Sequence, residues 1–167
     1  ILSQLKPAFK PDGVITAGNS SQISDGAAAL LLVSEDILNK FNLEPIAKIK
    51  SMAVVGTDPV LMLSGPIPAT RKALDQAKLK PEDINLAEIN EAFSSVVGAW
   101  RKEFPEINYE NVNANGGSIA IGHPLGATGA RLMTNLIHEM KRNKLKYGLQ
   151  AICEGGGTAN ATIVELV

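Results

Sequence analysis

The 167-residue chain has a single cysteine, two histidines and 4% aromatic residues, and almost no net charge, −1 at neutral pH. Each scarcity excludes something. One cysteine rules out an internal disulfide framework and a cysteine-rich metal site, and it suits a reducing compartment. Few aromatics mean that the core must be aliphatic. No block of like charge runs along the chain, which argues against a nucleic-acid footprint. No stretch of about 18 apolar residues exists, so no membrane span is expected. No basic segment followed by an apolar run marks a secretory signal. What remains is an ordinary globular composition, 45% hydrophobic and 20% charged, long enough for one real core.

Glycine and proline are plentiful, 15 and 9 residues, and they punctuate the chain. Residues 1–26 are rich in turn formers. Ala27 to Val33 is a continuous small-apolar run, expected to be a buried strand. Ser34 is placed to cap a short helix from Glu35 to Lys40, and Pro45 marks a boundary. Strands are then expected over Ile46–Val55, Ile84–Ile89, an extended piece from Val112, Tyr147–Cys153 and Thr158–Leu166. Helices are expected over Pro68–Ala77, Glu91–Phe104 and Leu125–Asn143, the last with an inward stripe of Leu132, Met133, Leu136, Ile137 and Met140. This alternation predicts an α/β fold, a mostly five-stranded mixed sheet covered by helices, with the terminal hairpin supplying the antiparallel pair.

Three polar constellations stand out. Asn90-Glu91-Ala92-Phe93 falls at a strand-to-helix junction, where sites often form in α/β folds. Asn90 could orient a water or donate to an oxyanion, or simply cap the helix with Glu91 in its first turn. The second runs from Asn115 to Gly129, with His123 between Gly122 and Pro124 just before a helix. The stretch is neither a P-loop nor a dinucleotide fingerprint. A helix N-terminus disfavours imidazolium, so a neutral His123 could act as base, or could be satisfied by backbone. The other histidine, His138, sits with Arg131, Thr134, Asn135, Lys141 and Arg142 on the expected solvent face. The third is Cys153-Glu154-Gly155-Gly156-Gly157, a thiol followed by glycines whose N–H groups could face a developing negative charge. Glu154 would raise the thiol pKa only if its side chain faced the sulfur.

Together and in this order, these stretches resemble the C-terminal signatures of the thiolases (acetyl-CoA acetyltransferases and 3-ketoacyl-CoA thiolases). Thr16-Ala17-Gly18-Asn19-Ser20-Ser21 and Asp25-Gly26-Ala27-Ala28 resemble that family's sequence after its loop domain. The resemblance covers nearly the whole chain. It implies a terminal segment of the thiolase N-terminal half over residues 1–44 and the C-terminal domain over 45–167. It implies Claisen chemistry on acyl-CoA thioesters, with no cofactor besides coenzyme A as substrate, no metal, and a homo-oligomer, dimer or tetramer, in the full-length protein. His123 matches the base that activates a nucleophilic cysteine and lines one oxyanion hole. Asn90 matches the residue holding that hole's water. Cys153 matches the acid/base cysteine, and the N–H of Gly155 part of a second oxyanion hole. Ser21 and Ala17 match the pantetheine channel and Phe93 a pocket wall. Asn90 argues against the subfamilies with histidine there, and the Asn90/His123/Cys153 set against the β-ketoacyl synthases.

In the family the nucleophilic cysteine lies in the N-terminal half, which these residues do not include. The chain alone is therefore expected to be inactive, to need that half as its partner, and to self-associate through exposed apolar surface, notably on the helix after His123, which resembles the family's buried central helix. A non-catalytic binding or structural module is the alternative, and a self-contained Cys–His hydrolase a weaker one. The expected location is cytoplasmic, or mitochondrial in a eukaryote.

Overall fold

A computed structural model describes all of residues 1–167. Nine elements follow in order: α1 (Glu35–Phe41), β1 (Ala47–Gly56), α2 (Pro66–Ala77), β2 (Leu86–Ile89), α3 (Ser94–Glu103), the single turn α4 (Ser118–Ile121), α5 (Thr128–Asn143), β3 (Tyr147–Cys153) and β4 (Thr158–Leu166). No helix is long and apolar enough to cross a membrane.

The four strands form one mixed sheet in the order β1-β4-β3-β2. The α/β class and the mixed sheet match expectation; the count is four, not five. β3 and β4 pair antiparallel as the hairpin turning through Gly155–Gly157, β1 pairs antiparallel with β4, and β2 runs parallel to β3. The missing strand is the one expected from Val112. Val112 makes only an isolated bridge to Ala87, and the next residue, Asn113, turns the chain at φ 52°. The Asn113 side chain then stands in for a peptide. Its Oδ1 accepts from the Ile89 N–H at 2.8 Å and its Nδ2 donates to the Ile89 carbonyl at 2.9 Å. A side chain thus meets the hydrogen-bonding demand of the β2 edge that a fifth strand would otherwise meet.

The sheet is covered on both faces. Small side chains (Ala53, Ala151, Ala159 and Ala161 on strands, Ala69, Ala73 and Ala77 on α2) let helix and sheet approach closely, and Leu149, Ile163 and Trp100 fill the space between them. Trp100 is fully buried, so its indole N–H needs a partner, and it donates to Thr70 Oγ1 at 2.9 Å. On the other face α5 buries Leu136 and Met140 against Leu86 and Val164, with Met133 and Ile137 half-buried at the edge. The expected stripe of α5 therefore faces inward and is covered.

Two expectations change in the N-terminal region. Ser34 caps α1 as expected, its Oγ accepting from the Ile37 N–H. The run Ala27–Val33, however, is neither buried nor a strand, and Leu31 and Leu32 are 80% and 70% exposed. A buried strand needs neighbours on its edges, and within these residues the run has none. The exposed apolar side chains concentrate here rather than on α5. The rest of the segment docks on the domain through two bridges, Ser20 to Phe93 and Ile23 to His123.

Candidate functional site

The parallel pairing of β2 and β3 brings two of the three constellations to one edge of the sheet. Ile89 pairs with Ala151, and the Asn90 N–H donates to the Ala151 carbonyl at 3.0 Å. Asn90 therefore leaves β2 beside the end of β3, where Cys153 stands. The turn between α4 and α5 carries His123 to the same edge. Gly122 permits that turn, at φ 88°, with Ser24 where a side chain would be.

His123, Cys153 and Gly155 line one open cleft of about 470 Å³, with Ala92, Thr128 and Ile152 among its other walls. Asn90 lies directly behind. It is 1% exposed, and its Nδ2 sits 3.5 Å from His123 Nε2. The opposite ring nitrogen, Nδ1, is 2.7 Å from Thr128 Oγ1, and that hydroxyl donates its one proton to the Pro124 carbonyl at 2.9 Å. Thr128 can then only accept from the ring, so Nδ1 carries the proton and Nε2 presents a lone pair. Burial lowers the His123 pKa, and the positive charge of Arg131 lowers it further. The imidazole is neutral, with its basic nitrogen toward Asn90.

Asn90 does not cap α3. Its Oδ1 accepts from Ser118 Oγ at 2.7 Å, which fixes the amide and turns its N–H₂ toward His123. Ser118 Oγ in turn accepts from Arg131 Nη2 at 3.1 Å, and the same nitrogen donates to the Gly122 carbonyl at 3.1 Å. Arg131 therefore leaves the polar face on which the sequence put it, while His138 stays exposed as expected. Glu91 is not a first-turn residue either, because α3 begins only at Ser94. Its Oε2 accepts from the Ile119 N–H at 3.0 Å and its Oε1 from Asn113 Nδ2 at 3.1 Å, tying the glycine-rich loop to the end of β2. Phe93 is extended (φ −144°, ψ 156°), bridges to Ser20 and packs edge-on against Phe9 with ring centroids 5.3 Å apart.

Cys153 is 8% exposed, and burial pushes its thiol pKa up, with a small further push from Glu154. Glu154 lines the same cleft, its carboxylate accepting from Thr158 Oγ1 at 3.1 Å and Asn160 Nδ2 at 2.6 Å. The sulfur is thus a protonated thiol at neutral pH. Gly156 and Gly157 both take positive φ, 79° and 84°, as the hairpin folds back beside it.

The remaining candidates stand apart from this cleft. Ser21 is half-buried, its N–H and Oγ both donating to the Ala92 carbonyl at 3.2 Å. Ala17 is exposed on a short turn capped by Thr16. Thr128, Ser118, Arg131 and Asn113 escaped the sequence reading as site residues. A threonine five positions after His123 was the one available signal. No group of three or more His, Cys, Asp or Glu side chains converges as a metal site would require.

Two family models match, "Thiolase, C-terminal domain" over residues 43–166 and "Thiolase, N-terminal domain" over residues 1–36. The chain is 55% identical over 153 residues to a steroid 3-ketoacyl-CoA thiolase of Mycobacterium tuberculosis, spanning 92% of this chain and 37% of that protein. It superimposes on the crystal structure of the Bacillus anthracis acetyl-CoA acetyltransferase with a TM-score of 0.95 at 45% identity, covering 99% of this chain and 42% of the other. A human mitochondrial 3-ketoacyl-CoA thiolase in complex with CoA gives a TM-score of 0.91 at 40% identity, with the same coverage of 99% and 42%. The chain thus spans about two-fifths of the length of the relatives it matches.

Proposed function

The chain belongs to the thiolase family, and on that premise we propose that it provides the proton-transfer side of an acyl-CoA C-acyltransferase site. The reaction is Claisen condensation of two acyl-CoA thioesters, or its reverse, thiolysis of a 3-ketoacyl-CoA. The observation that carries this is the shared cleft of His123, Cys153 and Gly155 with the Asn90 amide at His123 Nε2.

The chemistry follows from the state of each group. The free lone pair of Nε2 takes the proton of an attacking thiol, and the resulting N–H then faces a thioester oxygen as negative charge gathers there. Asn90 holds a water as the second donor. Cys153, a thiol of raised pKa, gives its proton to the α-carbon as the carbon–carbon bond breaks in thiolysis. In condensation it first gives its proton to the CoA thiolate that leaves as the acyl-enzyme forms, and the Cys153 thiolate so produced, a strong base for the same reason, then removes the proton of the α-carbon. The Gly155 N–H serves the acyl-enzyme carbonyl, and Ser21, Ala17 and Phe93 border the path of the pantetheine arm.

A ping-pong route through an acyl-cysteine needs a nucleophilic thiol besides Cys153, and this chain holds no other cysteine. The partner that supplies it is the N-terminal half of the thiolase fold, and residues 1–44 pack as that half's last segment against the C-terminal domain 45–167. The complete protein acts as a homo-oligomer, in the cytoplasm or, in a eukaryote, in mitochondria. The purified chain is expected to show no acetoacetyl-CoA thiolysis. Fused behind the N-terminal portion of the Bacillus anthracis enzyme, it is expected to turn over, and His123→Ala or Cys153→Ala to abolish that turnover. Thiolysis by the chain alone, or a fusion indifferent to both substitutions, overturns the proposal.

A further inference from the structure

Glu88 lies on β2, two residues before Asn90, with no exposure to solvent, and neither of its carboxylate oxygens meets a polar partner in the protein. Arg131, on α5 facing the same side of β2, is half satisfied. Its Nη2 donates to Ser118 Oγ and the Gly122 carbonyl, while its Nε and Nη1 are buried without an acceptor. Buried acceptors and buried donors that lack partners are costly, and such groups persist where a function retains them. We propose that Glu88 is a positioning residue of the His123 site, acting through Arg131 on the Ser118–Asn90–His123 chain of hydrogen bonds.

Glu88 acts on Arg131 through charge, not through a hydrogen bond, and from Arg131 the contacts run on without a gap. Arg131 holds Ser118 Oγ, Ser118 Oγ donates to Asn90 Oδ1, and the Asn90 amide faces the basic nitrogen of His123. The charged groups that face Glu88 are Arg131 and Glu139 from α5 and Glu91 from the end of β2. Burial is the largest influence and raises the Glu88 pKa, Arg131 opposes it, and the two carboxylates add to it, leaving the group pushed up to about 8. At neutral pH Glu88 is therefore uncharged, and Arg131 gives its held nitrogen to Ser118 and Gly122. Ionisation of Glu88 places a full negative charge beside the guanidinium and draws it toward β2. Ser118 then loses its donor, and the Asn90 amide turns relative to Nε2. As a statement about catalysis this rests on the function proposed above.

The test is a titration by NMR of the 167-residue chain, labelled at glutamate carboxyl carbons and at asparagine and histidine side-chain nitrogens, from about pH 5 to about pH 10 so that it spans an ordinary histidine and the raised carboxyl. Besides any titration of the ring itself, His123 Nε2 and Asn90 Nδ2 are expected to shift again, with the midpoint of the Glu88 carboxyl carbon. In Glu88→Gln, which keeps the shape and removes the ionisation, that second inflection is expected to vanish while the ring's own titration stays. The proposal is overturned if wild-type His123 and Asn90 show no inflection shared with Glu88, a result that needs no variant to fold. It is overturned equally if the shared inflection persists in Glu88→Gln. No turnover is required, so failure of the acyl-transfer reading leaves this outcome readable.

Discussion

Replacing Gly117 by alanine tests how the glycine-rich loop is held. Gly117 has φ −89° and ψ −170°, a conformation any residue adopts, so backbone strain is not at issue. Space is. A Cβ there would lie 2.6 Å from Glu91 Oε1, with the carboxyl carbon and Oε2 closer still. A free glutamate would swing aside at little cost. This one cannot, because its two oxygens accept from the Ile119 N–H and from Asn113 Nδ2. Hydrogen bonds to a charged group contribute about 1.5–3 kcal/mol each, so displacing the carboxylate from both costs about 3 kcal/mol in this half-buried place. Glu91→Ala removes the same two bonds and should cost about the same. The double variant should then lose about 3 kcal/mol rather than about 6, because the atoms nearest the added methyl all belong to the Glu91 carboxylate. With Glu91 already removed, Gly117→Ala should even regain up to about 1 kcal/mol by restricting the unfolded chain. Urea denaturation of the four proteins, with equal slopes, gives the cycle. Additive losses would refute the claim that Glu91 is the obstacle and the fastening of this loop.

Two further outcomes follow from the buried titrating groups. Glu88 binds its proton more tightly folded (pKa about 8) than at its ordinary value of 4.5, so its contribution is fully present below about pH 4.5 and is lost as pH rises through about 8. Between about pH 5 and about pH 7 wild type should lose about 2–3 kcal/mol relative to Glu88→Gln, at about 1.4 kcal/mol per pH unit across the window. A difference between the two urea stabilities that does not change with pH would count against a neutral Glu88. Cys153, buried with a raised pKa, should react with iodoacetamide at neutral pH more slowly in the native chain than in urea. The native rate should keep climbing beyond the pH at which a free thiol levels off; equal rates would contradict its burial.

Much of this arrangement was legible from residue order. Ser34 before an acidic first turn marked α1, and the apolar spacing from Leu132 to Met140 marked the buried stripe of α5. The glycine-rich and cysteine-containing signatures marked His123 and Cys153, which the structure brings into one cleft. What escaped did so for a common reason. The apolar run Ala27–Val33 satisfies every local rule for a buried strand, yet burial depends on a neighbour that local sequence does not reveal. The fifth strand failed because Asn113 commits its side chain to Ile89, and a side chain acting as a peptide leaves no trace in hydrophobic periodicity. Asn90 and Glu91 had capping as their local option; both instead bond to groups more than 20 residues away. Arg131 was assigned to solvent by its charge, but the loop carbonyl of Gly122 and the Ser118 hydroxyl gave it an inward partner.

The parallel pairing of β2 with β3 carries a tolerance that can be put in a machinist's terms. Strands running the same way bring both of their ends to one bench, and Asn90 and Cys153 are mounted there in the register Ile89 to Ala151. A slip of one residue would shift one mount against the other by about 3.3 Å and turn its side chains to the opposite face. Single-residue insertions within either strand should therefore misalign the cleft and disturb the packing on both faces of the sheet. At the other end of the sheet, the exposed Lys144 and Lys146 that lead from α5 into β3 can absorb a change in length with the cleft left in true.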